Sequence, residues 1–460
     1  MLHLKHAVDF GPAPSGRYTG LKVTLGPRFL ENVITSTRAS LSLGRVRFFM
    51  LGLVAAAVLV NYLDRAVLGI AAPGIQAEFA LSPVLMGVVF SAFSWSYFAA
   101  QIPSGILLDR LGVRLVYRLA LIGWSLATLL HGLARGFVSL VGLRIALGLT
   151  EAPCFPANSN IVAAWFPRAE RARAIGVYTA AEYVCLGFLT PPLFWIVAAW
   201  GWRALFIVAG AMGLLLAVVW WQRYRAPHEC QELSDQERKF IVTGGGTVDR
   251  PPVQQFSFAI VRALFRDRQM WGLCIGQFSV YSTFVFFLTW FPTYLATERH
   301  MAWIQVGFFT ALPYVAGFFG ILFAGFLSDA LLIRGYSLDT ARKLPVIMGL
   351  LLASAIIFAN YVESDVAVIA ILSLSFFAQA MSSSGWSVIS EVAPPGQIGL
   401  VGGLFSASAN LSGIVTPLVI GSIVQQTGSF VDALIFVGVV AAIGALSWIF
   451  LLGKIHRIEI

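Results

Sequence analysis

Apolar runs of about 20 residues recur along the whole chain, at 48–72, 83–108, 113–133, 137–164, 173–199, 203–224, 271–296, 303–332, 344–361, 365–390, 398–425 and 430–453. Each can cross the roughly 30 Å of hydrocarbon in a bilayer. None alternates with period two as a barrel strand would, so the pattern predicts helices. The pattern lapses at 225–270, where Pro227, a charged stretch from Glu229 to Lys239, Gly244 to Gly246 and Pro251-Pro252 read as a linker with one short amphipathic helix. The expected organisation is a tail at 1–45, a six-helix bundle at 46–224, the linker at 225–270, a second six-helix bundle at 271–453 and a short C-terminus at 454–460.

The two halves echo one another. Gly105-Ile106-Leu107-Leu108-Asp109 ends the second run, and Gly325-Phe326-Leu327-Ser328-Asp329 ends the eighth, 220 residues later. Thr190-Pro191 in the fifth run is matched by Thr416-Pro417 in the eleventh, 226 residues later. Parallel repeats of this kind suit a transporter whose halves rock about a site at the bilayer midplane. The fold class expected is an all-α membrane protein of twelve transmembrane helices, in two bundles related by pseudo-two-fold symmetry.

Charge then fixes the expected topology. Hydrophobic residues make up 58% of the chain and charged residues 12%, about half the charged share of a soluble domain. With both termini inside, 26 of the 31 Lys and Arg fall in cytoplasmic segments, only Arg135, Arg203 and Arg299 fall outside, and Arg65 and Arg144 remain in the membrane. The positive-inside rule supports that orientation, so the net charge of +9 marks topology and not nucleic-acid binding. Residues 1–45 hold Pro12, Pro14 and scattered charges and lack the pattern of a signal peptide. Cys154, Cys185, Cys230 and Cys274 show no metal-ligand spacing and read as structural thiols.

Asp64, Arg65, Arg144, Glu151 and Glu182 all lie inside apolar runs. A charge at bilayer depth costs about 2.5–3.5 kcal/mol even on insertion scales, so such groups read as functional. Arg144, Glu151 and Asn158 are spaced by seven, nearly two turns, and project from one face. That makes Glu151 a candidate proton carrier with Arg144 as its electrostatic partner. Tyr62 and Arg65 share a face. Asp64 points about 100° away, toward a neighbouring helix where Arg144 is the candidate partner. A guanidinium fork suits a carboxylate bidentately.

The segment Gly105–Arg114, with Gly105, Asp109, Arg110, Gly112 and Arg114, resembles the loop motif of the major facilitator superfamily. There glycine would allow close helix approach, the aspartate cap and pair, and the arginines anchor the cytoplasmic side. NYLDR at 61–65, RIALGLTEAPCFPAN at 144–158, WFPRAERARAIG at 165–176, FFLTWFPTYL at 286–295 and ARKLPVIMGLLL at 341–352 look like the anion:cation symporter family within it. RGYSLDTARK and GGLFSAS in the C-terminal half are most similar to bacterial sugar-acid symporters of the D-galactonate type. The resemblance implies import of an organic anion with protons, with Arg65 anchoring the substrate carboxylate and Asp64 and Glu151 as protonation sites. Glu182 departs from the neutral residue more usual there. A third proton site, an acceptor for substrate hydroxyls and a structural partner of Arg65 are all open to it.

The C-terminal half supplies neutral groups: Gln277, Tyr281, Gln379, Ser382 to Ser384, Trp386, Ser406 and Asn410. Gln277 and Tyr281 share a face, as do Gln379, Ser383 and Trp386. Such donors, acceptors and an aromatic platform suit a polyhydroxylated ligand. No Ser/His/Asp set or metal spacing emerges, and Gly244-Gly245-Gly246 follows no strand, so enzyme chemistry and a phosphate cradle are not expected. The reading is a proton-coupled importer of a sugar acid, without cofactor or metal, acting as a monomer in a bacterial inner membrane. Aromatic and dicarboxylic acids remain alternative substrates, and a non-transporting membrane sensor is the alternative from another class.

Overall fold

The computed structural model describes residues 46–246, 258–394 and 397–459, and these are helical almost throughout. The expected tail at 1–45 and the part of the linker with Pro251-Pro252 lie outside the described residues. The first half holds α1 (Val46–Phe79), α2 (Pro83–Leu111), α3 (Val113–His131), α4 (Phe137–Glu151), α5 (Cys154–Trp165), α6 (Arg171–Val184) and α7 (Thr190–Arg223). Linker helices α8 (Asp235–Thr243) and α9 (Phe258–Leu264) follow. The second half holds α10 (Arg268–Thr289), α11 (Phe291–Thr297), α12 (Trp303–Ile333), α13 (Leu338–Ala353), α14 (Asp365–Ser382), α15 (Ile389–Val392), α16 (Ile398–Thr427) and α17 (Val431–Leu446).

Among the described residues, 11 helical stretches are long and apolar enough to cross a membrane, one of them 53 residues long, Arg171–Arg223. That stretch holds two crossings, because Gly201 takes φ 78° and ψ 170° and turns the chain in the middle of α7. The twelve expected crossings are therefore present. The single run expected over 137–164 is two helices, because Pro153 lacks the N–H that would continue α4. The linker carries two helices where one was expected.

Turns are set by local chemistry. Ser82 caps α2 by accepting from Leu85 N at 3.3 Å, with Pro83 at the first helical position. Gly112 (φ 83°) ends α2 and lets α3 start one residue later. The repeat shows in the packing. α2 packs on α4 as α12 packs on α14, and α3 on α7 as α13 on α17. The halves meet through α2 against α16 and α12 against α7, the symmetry-related pair.

α8 is held on the first half. Buried Arg47 pairs with Glu237 of α8 and with Glu170, and Arg171 donates to the Gly245 carbonyl at 2.7 Å. Burial pushes the Glu237 carboxyl above its usual range, against the pull of Arg47. The C-terminus is strapped to the second half, where Ile455 N donates to Asp339 at 2.8 Å and Ile458 N to the Val392 carbonyl at 2.9 Å.

The halves touch at the end away from the linker. A Cβ on Gly87 would sit 2.5 Å from the Pro417 carbonyl oxygen, and one on Gly421 2.5 Å from that of Pro83. At the linker end a Cβ on Gly105, Gly325 or Gly403 would meet nothing within 4 Å. Beyond Tyr97, α2 buries only Ser104 and Leu108. The conformation is therefore closed at one end and open at the linker end, and the close approach expected at Gly105 is absent because the helices have parted there.

Gly87→Val should oppose this closure. Overpacking of that kind costs about 1–3 kcal/mol, enough to shift a two-state population about tenfold or more. A thiol at Gly325→Cys should then react more slowly with a polar maleimide than in the Gly87 parent. An unchanged labelling rate would show that the seam is not the closed gate.

Candidate functional site

The structure gathers Tyr62, Arg65, Glu151, Glu182 and Tyr281 into one buried site between the halves. α1 places Arg65 at 7% exposure, with its guanidinium over the rings of Phe93 (4.9 Å), Tyr97 (5.1 Å) and Tyr62 (5.2 Å). Such faces stabilise a desolvated cation. Arg65 Nε donates to Glu151 Oε1 at 2.6 Å, and Nη2 contacts the same oxygen. Nη1 reaches across the halves to the Tyr281 hydroxyl at 3.5 Å. Glu151 Oε2 has no hydrogen-bond partner. Tyr62 lies beside Glu182 and stands edge-on to Phe155 and to Phe284 of the other half.

The pairing differs from the one expected. Glu151 bonds Arg65 and not Arg144. Seven residues of helix rise about 10.5 Å, too far for Arg144 and Glu151 to touch along α4, whereas Arg65 arrives from the facing helix. Arg144 lies over Phe93 at 5.1 Å, with Nε and Nη1 unpartnered. Asp64 forms no ion pair with Arg144. It is 1% exposed and faces Thr128 of α3, and neither of its oxygens completes a hydrogen bond. Asn158, on the same expected face, accepts from the Tyr117 hydroxyl of α3 at 2.8 Å.

In the second half Tyr281 stacks on Phe284 at 5.3 Å and is the one expected residue there that hydrogen-bonds Arg65. Gln277 is buried at 8% exposure. Gln379 Oε1 and the Ser384 hydroxyl are buried and unpartnered. Asn410 Nδ2 donates to the Ser406 carbonyl at 3.0 Å, so part of that amide is engaged within α16. Trp386 is 49% exposed and edge-on to Phe405 at 4.9 Å. Gln379 is 3% exposed, and the chain tightens to a 3-10 helix at Ser383, where residues three apart eclipse, so Ser383 and Trp386 keep one face. Of the loop motif, Arg114 bonds Glu229 of the linker at 2.6 Å, and Asp109 and Arg110 are exposed at the end of α2.

Phe93, Tyr97, Asn61 and Thr128 belong to the surroundings of these charges and were not singled out from the sequence. Phe93 and Tyr97 stand four apart on α2, a spacing that offers two rings to one neighbour. Among the described residues no three His, Cys, Asp or Glu side chains gather as a metal site would require.

The family model of the Major Facilitator Superfamily matches residues 54–387. A D-galactonate transporter of Escherichia coli is 43% identical over 420 residues, covering 90% of this chain and 97% of that protein. A probable galactarate/D-glucarate transporter of Bacillus subtilis is 39% identical over 425 residues, covering 90% and 93%. Among solved structures, a bacterial homolog of the human lysosomal transporter Spinster, inward-facing and unoccupied, superposes with TM-score 0.69 at 20% identity over 88% of this chain and 96% of that one. A D-xylose–proton symporter gives 0.68 at 16% identity over 88% and 98%. Family model, curated relatives and shared fold agree with a helical bundle in paired halves: the chain belongs to the major facilitator superfamily and is a transporter, not an enzyme.

Proposed function

We propose that the chain imports a sugar acid of the hexonate or hexarate class by proton symport. The observation that carries this is Arg65, a buried guanidinium between the halves whose fork is held by Glu151. A substrate carboxylate and Glu151 compete for that fork. Protonating Glu151 weakens its hold and frees the donors for the incoming anion. Proton and anion binding are thereby one exchange of partners. The named substrates of the curated relatives, galactonate and galactarate or glucarate, support the class. Gln379 and Ser384, with unspent polar atoms facing no protein partner, suit substrate hydroxyls. Glu182 beside Tyr62 is an acceptor for a hydroxyl and a poor neighbour for a second carboxylate, which favours a hexonate over a hexarate.

Orientation follows from charge. The linker end carries the great majority of Lys and Arg, as expected of a cytoplasmic side, so the described conformation is inward-open, in a bacterial inner membrane with both termini inside. A monomer suffices, since one chain supplies both halves of the site.

Arg65→Lys should bind poorly despite keeping the charge, because an ammonium loses the fork. An affinity drop of about tenfold to a hundredfold is expected for the loss of one charge-assisted bond, read by thermal shift with hexonates on folded protein. Near-normal affinity in the lysine variant would remove Arg65 from the carboxylate site.

Glu151→Gln leaves the fork permanently without a charged competitor. Its substrate affinity should be at least that of the parent and flat with pH, while the parent weakens as pH rises. Exchange of labelled for unlabelled substrate should persist and pH-driven accumulation fail. Loss of exchange together with accumulation would make Glu151 a binding or structural residue.

Three acids and two arginines give the site a charge of −1, and a monoanion makes −2. Two protons with one anion then move one positive charge inward, worth about 2.3 kcal/mol per 100 mV. Uptake should accelerate under an inside-negative potential set with valinomycin, and indifference to that potential would break the count.

A further inference from the structure

Buried polar atoms in folded proteins are nearly all hydrogen-bonded, to protein or to ordered water. Behind the Arg65 site several departures from this lie on neighbouring elements of the first half. Both oxygens of Asp64, the amide of Asn61, the hydroxyls of Ser125 and Thr128, Nε2 of His131, and Nε and Nη1 of Arg144 are buried and complete no hydrogen bond to protein, with Thr128 lying beside Asp64 and Asn61 beside Glu151. None of these six residues exceeds 4% exposure. A cluster of donors and acceptors so dense is a place for bridging water.

The cluster has a direction. Ser125, Thr128 and His131 recur every three residues on α3 and form a winding file that turns about 60° and rises about 4.5 Å per step. Asp64 faces the middle of the file at Thr128. His131 is the last residue of α3, at the end of the bundle away from the linker, where the halves are closed. Its Nδ1 lies 2.7 Å from the Ala127 carbonyl. A carbonyl only accepts, so Nδ1 carries the hydrogen and Nε2 keeps its lone pair. The ring is stacked on Phe206 of α7 at 5.2 Å and 16°, which fixes its plane.

The charged and titratable groups around the file are few. Arg144 of α4 faces both His131 and Asp64. Glu151 and the Cys185 thiol face Asp64. Arg203 of α7, near the outer end of the file, is turned to Glu78 and to the Ala134 carbonyl.

We propose that His131 is a proton-relay residue, and that the His131–Thr128 file, bridged by water, exchanges protons between Asp64 and the side opposite the linker while the substrate path on that side is shut. A hydronium on that side gives its proton to Nε2, breaking one O–H bond and forming one N–H bond. The imidazolium passes that proton to a bridging water, which gives one of its own to the Asp64 carboxylate. His131 returns to neutral and Asp64 is left protonated, with no change of oxidation state. Protons and substrate thus reach the centre by different roads. The relay rests on the proton-symport reading.

The test uses the full chain in proteoliposomes oriented to take up labelled hexonate. His131→Gln keeps the bulk and a hydrogen-bonding amide but cannot carry a proton. Its substrate affinity and its exchange at equal pH on both sides should match the parent. Its pH-driven uptake should fall about tenfold near neutral external pH, the lower range of what proton transfer by a placed side chain contributes. Uptake should recover as the external side is acidified, when hydronium reaches the file unaided. Thr128→Val, isosteric but without the hydroxyl, should repeat the pattern and serves if His131→Gln does not fold. Uptake at the parent rate in either folded variant, or exchange lost in step with uptake, overturns the relay. A parent carrier that builds no substrate gradient from a pH gradient overturns the symport reading itself, and the relay with it.

Discussion

The site depends on one buried guanidinium whose charge one anion at a time must answer. Arg65 is desolvated by three aromatic rings and a helix bundle, so its charge must be answered by an anion at short range. Glu151 supplies that anion in the described conformation. Anything that replaces it must be negative and fork-shaped, and Glu151 must then lose its charge or stay buried without a counter-ion. The penalty for an unpaired buried charge ties the two events together without any long-range mechanism.

Around that pair the molecule separates tasks by half. Ionisable groups in the membrane centre come from the first half: Asp64, Arg65, Arg144, Glu151 and Glu182. The second half contributes a phenol, amides and hydroxyls. Tyr281 is where the two meet, through Arg65. Rocking of the halves would therefore change what surrounds the guanidinium as well as who can reach it, and access and affinity would change in one motion.

Much of the fold was legible in the sequence because the bilayer makes length and polarity decisive. Twelve crossings followed from apolar length, and Gly201 hid one boundary only from a reading based on continuous helix. The charged members of the site were legible for the same reason, since a charge in an apolar run is conspicuous. Their pairing was not. Spacing along α4 put Arg144 and Glu151 on one face but could not say which helix would face them, and contact across helices overrode proximity along one. Phe93 and Tyr97 were hidden because rings are unremarkable in a membrane helix until a cation is known to lie against them.

The closed seam has a further consequence. Among the described residues no ion pair crosses between the halves. At that end Glu78 is satisfied by Arg203 within the first half, and Arg299 by Asp365 within the second. What crosses includes glycine against backbone, at Gly87 with Pro417 and at Gly421 with Pro83, ring against ring at Phe90 with Trp290 and Phe194 with Trp303, and Gln425 accepting from Val84 N. Dispersion between such surfaces fades within about an ångström of separation, unlike the slower decay of Coulomb attraction. A seam of this kind is either seated or released, with little holding force in between. The carrier's closing step is then a snap with few half-open members in its ensemble, and ordinary changes in salt leave its balance nearly untouched.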